Sequence, residues 1–298
     1  MNIKSIFLLG LALAACCPKE SVGTRCEALD SWETSEWISA ADAPVITGIV
    51  NTKANHRAAD GASWFLSTVK NPGKVTSAKW MTTGLGVYQL YLNGRPVGAD
   101  ALKPGYTHVL KTRRSFTYDI TEAFNRAAGA SNILSAQVTP GWWADKIVTL
   151  GGSEGMQGDK CAFRGVLELT LADGSKVLKG TNLTDWTAGI AGPVTHAGIF
   201  DGEEYDARIP AGYATPEKLS VPEINTEFRG EILPTDGAEI CYREDLALKP
   251  VEAYVWKDVE GTTDDVYGKV VKLREYSGPM ELHEGETLVV DFGQPSSR

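Results

Sequence analysis

Short runs rich in Val, Ile, Leu, Tyr and Trp alternate along this chain with Gly, Pro, Asn and Asp at intervals of about eight to twelve residues. Punctuation that frequent leaves no room for the 3.6-residue apolar period of a packed helix, so the pattern restricts the chain to short strands joined by turns, the all-β sandwich class. The clearest strand spans residues 86–92, where Tyr88, Leu90 and Leu92 fall on one face and Val87, Gln89 and Tyr91 on the other. Asn93-Gly94 follows with the two residue types that best tolerate the positive φ angles of a type I′ turn, and Arg95–Val97 begins the return strand. The same reading predicts strands at 63–69, 78–82, 115–120, 133–139, 146–150, 166–171 and 176–178, with Asp173-Gly174 turning the last pair. One short helix is expected at 121–128, capped by Asp119 or Thr121 and ended by Gly129.

The N-terminus has a different texture. Lys4, an apolar run over 6–13 and Leu13-Ala14-Ala15-Cys16 resemble a bacterial lipoprotein signal, cut before Cys16, whose thiol would carry the lipid. A plain secretory signal has a similar small-residue cleavage site, and either reading predicts export. No later stretch reaches about 18 uncharged apolar residues, so membrane contact is expected through the lipid anchor only. The predicted organisation is a signal peptide over 1–15, a tether over 16–31, a first β domain over 32–210, a proline-bearing linker over 211–227 and the opening of a second β domain over 228–298. That last part carries strand-like runs at 253–256, 269–273 and 287–292.

At 298 residues the chain has length for about two domains. Its net charge of −9 is spread along the sequence without a Lys/Arg block, and phosphate binding needs clustered cations, so nucleic acid is not an expected partner. Cys16, Cys17, Cys26, Cys161 and Cys241 show neither CxxC spacing nor a disulfide framework, and Cys161 and Cys241 read as buried free thiols.

Several patterns are tested by the chemistry they would need. Gly151-Gly152-Ser153-Glu154-Gly155 matches a nucleophile elbow, yet the residues after it lack the apolar period of the helix that motif demands, which leaves a Gly-rich hairpin loop. His283-Glu284 opens like a zinc-binding H-E-x-x-H, but Thr287 stands where the second histidine belongs. His56, His108 and His196 are isolated and read as structural. No phosphate-cradling glycine loop is present, so no cofactor is required by any pattern. The carboxylates Asp201, Glu203, Glu204 and Asp206, followed by Arg208, admit three readings: an exposed loop pinned by an Arg208–carboxylate pair, a calcium site, or the two acids of a glycosidase. Trp142 and Trp143 read as neighbours in a strand that face opposite sides, one entering the core and the other offered to a sugar ring or to a covering loop.

Residues 83–98 (Thr83-Gly84-Leu85-Gly86 through Arg95-Pro96-Val97-Gly98) and Leu102-Lys103-Pro104-Gly105-Tyr106-Thr107 resemble the N-terminal module of bacterial α-L-rhamnosidases. The order of later motifs is similar: Thr117-Tyr118-Asp119-Ile120-Thr121, Gly141-Trp142-Trp143, Phe163-Arg164-Gly165, Gly192-Pro193-Val194, the string from Phe200 to Arg208, and Asp291-Phe292-Gly293-Gln294. The resemblance runs from about Trp32 to Gln294. It implies a jelly-roll-like β-sandwich, then a second sandwich, then a helical barrel that holds an inverting pair of catalytic acids. Some members bind rhamnose through calcium in the first sandwich, but His108 stands where many relatives have an acidic residue.

A barrel of about twelve helices at the usual three turns each needs well over a hundred helical residues, and this sequence offers one short helix. The expectation is therefore a non-catalytic front part of a surface α-L-rhamnosidase with no catalytic residue of its own. Its expected partners are rhamnose-containing glycans and the helical catalytic domain it lacks, with Trp142 and Trp143 as candidate sugar contacts and the Asp201–Asp206 carboxylates as candidate calcium or domain-interface groups. The alternative is a stand-alone carbohydrate-binding lipoprotein.

Overall fold

The computed structural model describes residues 6–8, 21–45, 61–108, 110–145, 157–199, 202–238, 240–242, 244–257, 271–275 and 280–293. In chain order its strands begin with β1 (Ile6–Leu8), β2 (Thr24–Arg25), β3 (Ile38–Ser39), β4 (Ser63–Lys70), β5 (Val75–Leu85), β6 (Val87–Leu92) and β7 (Arg95–Val97). They continue with β8 (Thr112–Asp119), β9 (Ser131–Thr139), the short helix α1 (Gly141–Ala144), β10 (Ala162–Leu171), β11 (Lys176–Gly180), β12 (Thr187–Ile190), β13 (Val194–Gly198) and β14 (Gly202–Tyr205). The last are β15 (Glu223–Ile224), β16 (Glu231–Pro234), β17 (Glu252–Lys257), β18 (Val271–Glu275), β19 (Met280–Leu282) and β20 (Glu286–Asp291). Two units result, Lys19–Cys241 and the pair Met1–Pro18 with Tyr242–Arg298.

The larger unit is a β-sandwich. One sheet runs β15-β3-β10-β5-β8-β16, with β11 beside β10 and β2 beside β8; the other runs β12-β4-β9-β6-β7. The alternation read at 86–92 is realised in β6, where Tyr88, Leu90 and Leu92 are buried between the sheets and Val87, Gln89 and Tyr91 face outward, half-buried. Asn93 (φ 51°) and Gly94 (φ 78°) make the expected turn, after which Leu90, Tyr91 and Leu92 pair with Val97, Pro96 and Arg95. Gly86 separates β5 from β6: its φ is 128°, and a Cβ there would lie 2.2 Å from the Thr139 carbonyl oxygen. Phe163 of β10 is the centre of the core, its ring 5.7 Å from Phe65 and from Trp186 and 6.2 to 6.3 Å from Tyr88 and Trp80. A fully buried aromatic of this kind is worth about 3 to 5 kcal/mol relative to alanine.

Several expectations are corrected. Residues 121–128 form no helix. Asp119 Oδ1 does accept the Thr121 N–H at 2.9 Å, but only Ala123 and Phe124 bond back to Ile120, because buried Asn71 takes the Asn125 and Ala127 carbonyls and Asn132 clasps Asn125 at both N–H and O. Those side-chain amides replace the helical ladder.

The order begins before Trp32, since Val22 is buried and β2 pairs with β8. Residues 211–227 are packed instead of linking: Tyr213 lies 5.5 Å from the Trp64 ring and 5.2 Å from Tyr91, Leu219 is buried, and β15 pairs with β3. β16 then adds to β8 in parallel. Cys161 is buried as expected, whereas Cys241 is exposed.

In the smaller unit β17 lies between β18 and β20, with Val255 buried, and β1 pairs with β19. Arg274 grips Glu286 with two hydrogen bonds of 2.9 and 2.7 Å, and the His283 N–H adds a third at 3.0 Å. Together they hold the Glu286 carboxyl down to about 2. His283 thus sits in a tight turn before β20 and not on a helix, consistent with the failed zinc pattern.

Candidate functional site

Residues between Asp100 and His108, which follow β7, make one wall of a cleft of about 470 Å³; β8 contributes its floor through Thr112, Arg114 and Phe116, and residues 235–238 with Ile240 make the opposite wall. The first wall is held by buried charge. Asp100 is 4% exposed, accepts the Tyr118 hydroxyl at 2.7 Å and has Arg25 Nη1 3.5 Å from its other oxygen. Lys103, 1% exposed, lies over the rings of Tyr118 and Tyr88 at 5.0 and 5.6 Å and donates to the Val97 carbonyl at 3.4 Å. Burial lowers its pKa to about 8, against a smaller upward pull from Asp100. Burial also pushes the Tyr88 and Tyr118 hydroxyls up, so both stay neutral donors.

The second wall is a strap tied at both ends. β16 pairs with β8 before it, and Ala101 donates to the Ile240 carbonyl at 2.7 Å after it. Midway, Arg114 donates to the Pro234 carbonyl at 3.0 Å and stands 3.1 Å from Asp236, whose side chain is 77% exposed. At the mouth, Tyr106 is 63% exposed and meets the half-buried Trp142 edge-on at 6.5 Å.

Trp142 and Trp143 are on α1, not on a strand. The one-in, one-out division comes from a helical turn, and Trp143 is the buried member at 1% exposure. Its Nε1 donates to the Lys160 carbonyl at 3.1 Å, and the Arg113 guanidinium lies 4.7 Å from its ring and 5.8 Å from that of Phe228, which itself meets Trp143 edge-on at 6.4 Å. Trp143 therefore offers no face to a sugar, and the reading that makes it a sugar contact is corrected; Trp142, with Tyr106, keeps that geometry. Arg113 is itself buried, which lowers its pKa to about 10, and its Nε and Nη2 meet no hydrogen-bond acceptor among the described residues.

The described members of the carboxylate cluster are not gathered as a cation site. Glu203 and Glu204 are exposed on β14, and Asp206 gives both oxygens to Arg208, which holds its carboxyl down to about 2. Among the described residues no group of three or more His, Cys, Asp and Glu is gathered for a metal, so these side chains do not fit the calcium expectation. Asp201, Cys16, His56, the 146–150 strand and Gly151–Gly155 lie outside the described residues. The strap was invisible to sequence reasoning, because nothing in 235–240 signals a meeting with Arg114, more than a hundred positions earlier. The loop of Tyr106 was visible only as a motif without a role.

The sequence profile of the α-L-rhamnosidase N-terminal domain matches residues 73–237, more than half of the chain. An α-L-rhamnosidase of Streptomyces avermitilis is 39% identical over 144 residues, which is 48% of this chain and 13% of that protein. One from Alteromonas sp. (strain LOR) is 34% identical over 222 residues, 74% of this chain and 21% of that protein. The chain thus spans about a fifth or less of the length of these two curated relatives. Among solved structures, the native α-L-rhamnosidase of Aspergillus terreus superposes with a TM-score of 0.64 at 17% identity, over 89% of this chain and 35% of that one. The Streptomyces avermitilis enzyme complexed with L-rhamnose gives 0.56 at 22% identity, over 80% and 28%. At these identities the structural likeness speaks for the fold.

Proposed function

Because the chain belongs to the family of the α-L-rhamnosidase N-terminal domain, we propose that it serves as a non-catalytic front module of such a glycosidase, contacting rhamnose-containing glycan and scaffolding a catalytic domain. The observation that supports glycan contact is the cleft mouth. Tyr106, which lines the cleft, and Trp142, which packs against the Tyr106 ring, present apolar ring surface beside hydroxyl-binding polar groups, the mixture that a pyranose with one apolar face requires. Scaffolding is supported by the small share of the relatives' length that this sandwich represents.

Calorimetric titration with L-rhamnose should give a saturable isotherm that Tyr106→Ala or Trp142→Ala weakens by about 1 kcal/mol, roughly fivefold. The same preparation should release no rhamnose from an aryl rhamnoside. Absence of heat, with or without calcium, would remove the glycan-contact reading; hydrolysis by the chain alone would remove the non-catalytic one.

Export with a lipid on Cys16 completes the proposal, on the strength of the Leu-Ala-Ala-Cys signal. Expressed in a bacterium, the protein should partition with membranes, and Cys16→Ala should release it. A variant that stays membrane-bound speaks against the anchor.

A further inference from the structure

Behind the cleft of this acidic protein lies a buried cation without a carboxylate partner. The chain carries a net charge of −9, yet the buried cation behind the cleft's first wall, Lys103, has no carboxylate in ion-pair distance among the described residues; it is held against the Tyr88 and Tyr118 rings. Of the carboxylates that line the cleft, Asp100 is matched by Arg25 at 3.5 Å, and Asp236 by Arg114 at 3.1 Å. In a low-dielectric wall an unmatched cation projects its field further than it would in water.

Arg114 is the cation that lines the cleft itself, and its partner is poorly secured. Asp236 is 77% exposed on the strap, and the neighbouring Gly237 has no atom within 4 Å of where a Cβ would sit. An exposed pair of that kind is weak. A ligand carboxylate or sulfate could take the guanidinium's fork by a two-point, charge-assisted contact while Asp236 turns to solvent. The cost is one exposed ion pair, and displacing Asp236 removes one of the two carboxylates that line the cleft.

We propose that the cleft selects a glycan unit bearing an anionic group, read by Arg114 in competition with Asp236. This rests on the glycan-contact reading and deepens it, since rhamnose itself is uncharged and would be the neighbour of the acidic unit.

The test uses the full chain and three ligands on one ring that differ only at C6: methyl β-D-glucoside, methyl β-D-glucuronide and methyl β-D-glucoside 6-sulfate, with L-rhamnose as the reference. Calorimetry should show at least one acidic ligand binding about tenfold more tightly than the neutral one at low salt, with the margin shrinking as salt rises. Comparison of the two acidic arms tells whether carboxylate or sulfate is the natural group. Arg114→Gln should abolish the margin. Asp236→Asn, which removes the competitor without touching the floor, should widen it, and this variant carries the test if Arg114→Gln fails to fold. Equal binding of neutral and acidic ligands, a margin that survives Arg114→Gln, or binding of L-rhamnose with none of the three glucosides would overturn the selection while leaving glycan contact standing. If L-rhamnose and all three glucosides fail to bind, both readings fall.

Discussion

Lys103 puts an ammonium group where water cannot reach it, and its only polar contact among the described residues is a long hydrogen bond to the Val97 carbonyl. Burial lowers its pKa from 10.5 to about 8, so between those values the unfolded chain binds a proton that the folded protein has released. The charged form costs stability below pH 8, and that cost disappears as pH rises towards 10.5. The buried acids act in the opposite sense: the Cys161 thiol, pushed up to about 12, and the raised Tyr88 and Tyr118 hydroxyls withdraw stability once their unfolded counterparts ionise. Subtracting the profile of Lys103→Met from that of the parent isolates the lysine. Chemical denaturation should show the parent gaining about 2 kcal/mol on the variant between pH 7 and pH 10. Parallel profiles would mean that Lys103 is solvated and that the cleft wall lacks the buried charge assigned to it.

Elements whose signal is local were legible. The β6–β7 hairpin follows from strict alternation plus Asn93-Gly94, and 63–69, 133–139 and 176–178 lie inside observed strands, because a strand with one buried face writes its period directly into the sequence. Elements decided by distant partners were not legible. The 121–128 stretch has a cap and a terminating glycine, yet Asn71 and Asn132, buried on other segments, outcompete the ladder for its carbonyls. The Trp142-Trp143 pair was read with period two, and α1 turns the same division into a helical one. Of the candidate site, Trp142 was singled out, whereas Tyr106 was seen only within a motif and Arg114 and Asp236 not at all. No local pattern marks a residue as the far wall of a cleft.

At the scale of the whole molecule, the sandwich extends to Cys241, past the linker expected at 211–227. Residues 211–234 cover Trp64 and Tyr91 on the outer face of the five-stranded sheet through Tyr213, supply Phe228 beside Trp143, and add β15 and β16 to the edges of the other sheet. A chain spanning 19–241 should therefore unfold in one cooperative transition, whereas 19–210 should expose an apolar face and aggregate or melt at least about 4 °C lower, as about 2 kcal/mol or more is lost. Equal melting of the two would show that the packed segment is dispensable. The sequence by itself determined the all-β class, the family and the hairpin register, because alternation and turn chemistry act between neighbours in the chain. Only the tertiary structure decided where the domain ends, which tryptophan is hidden and which residues face one another across the cleft, because burial and charge pairing depend on distances that chain order does not set.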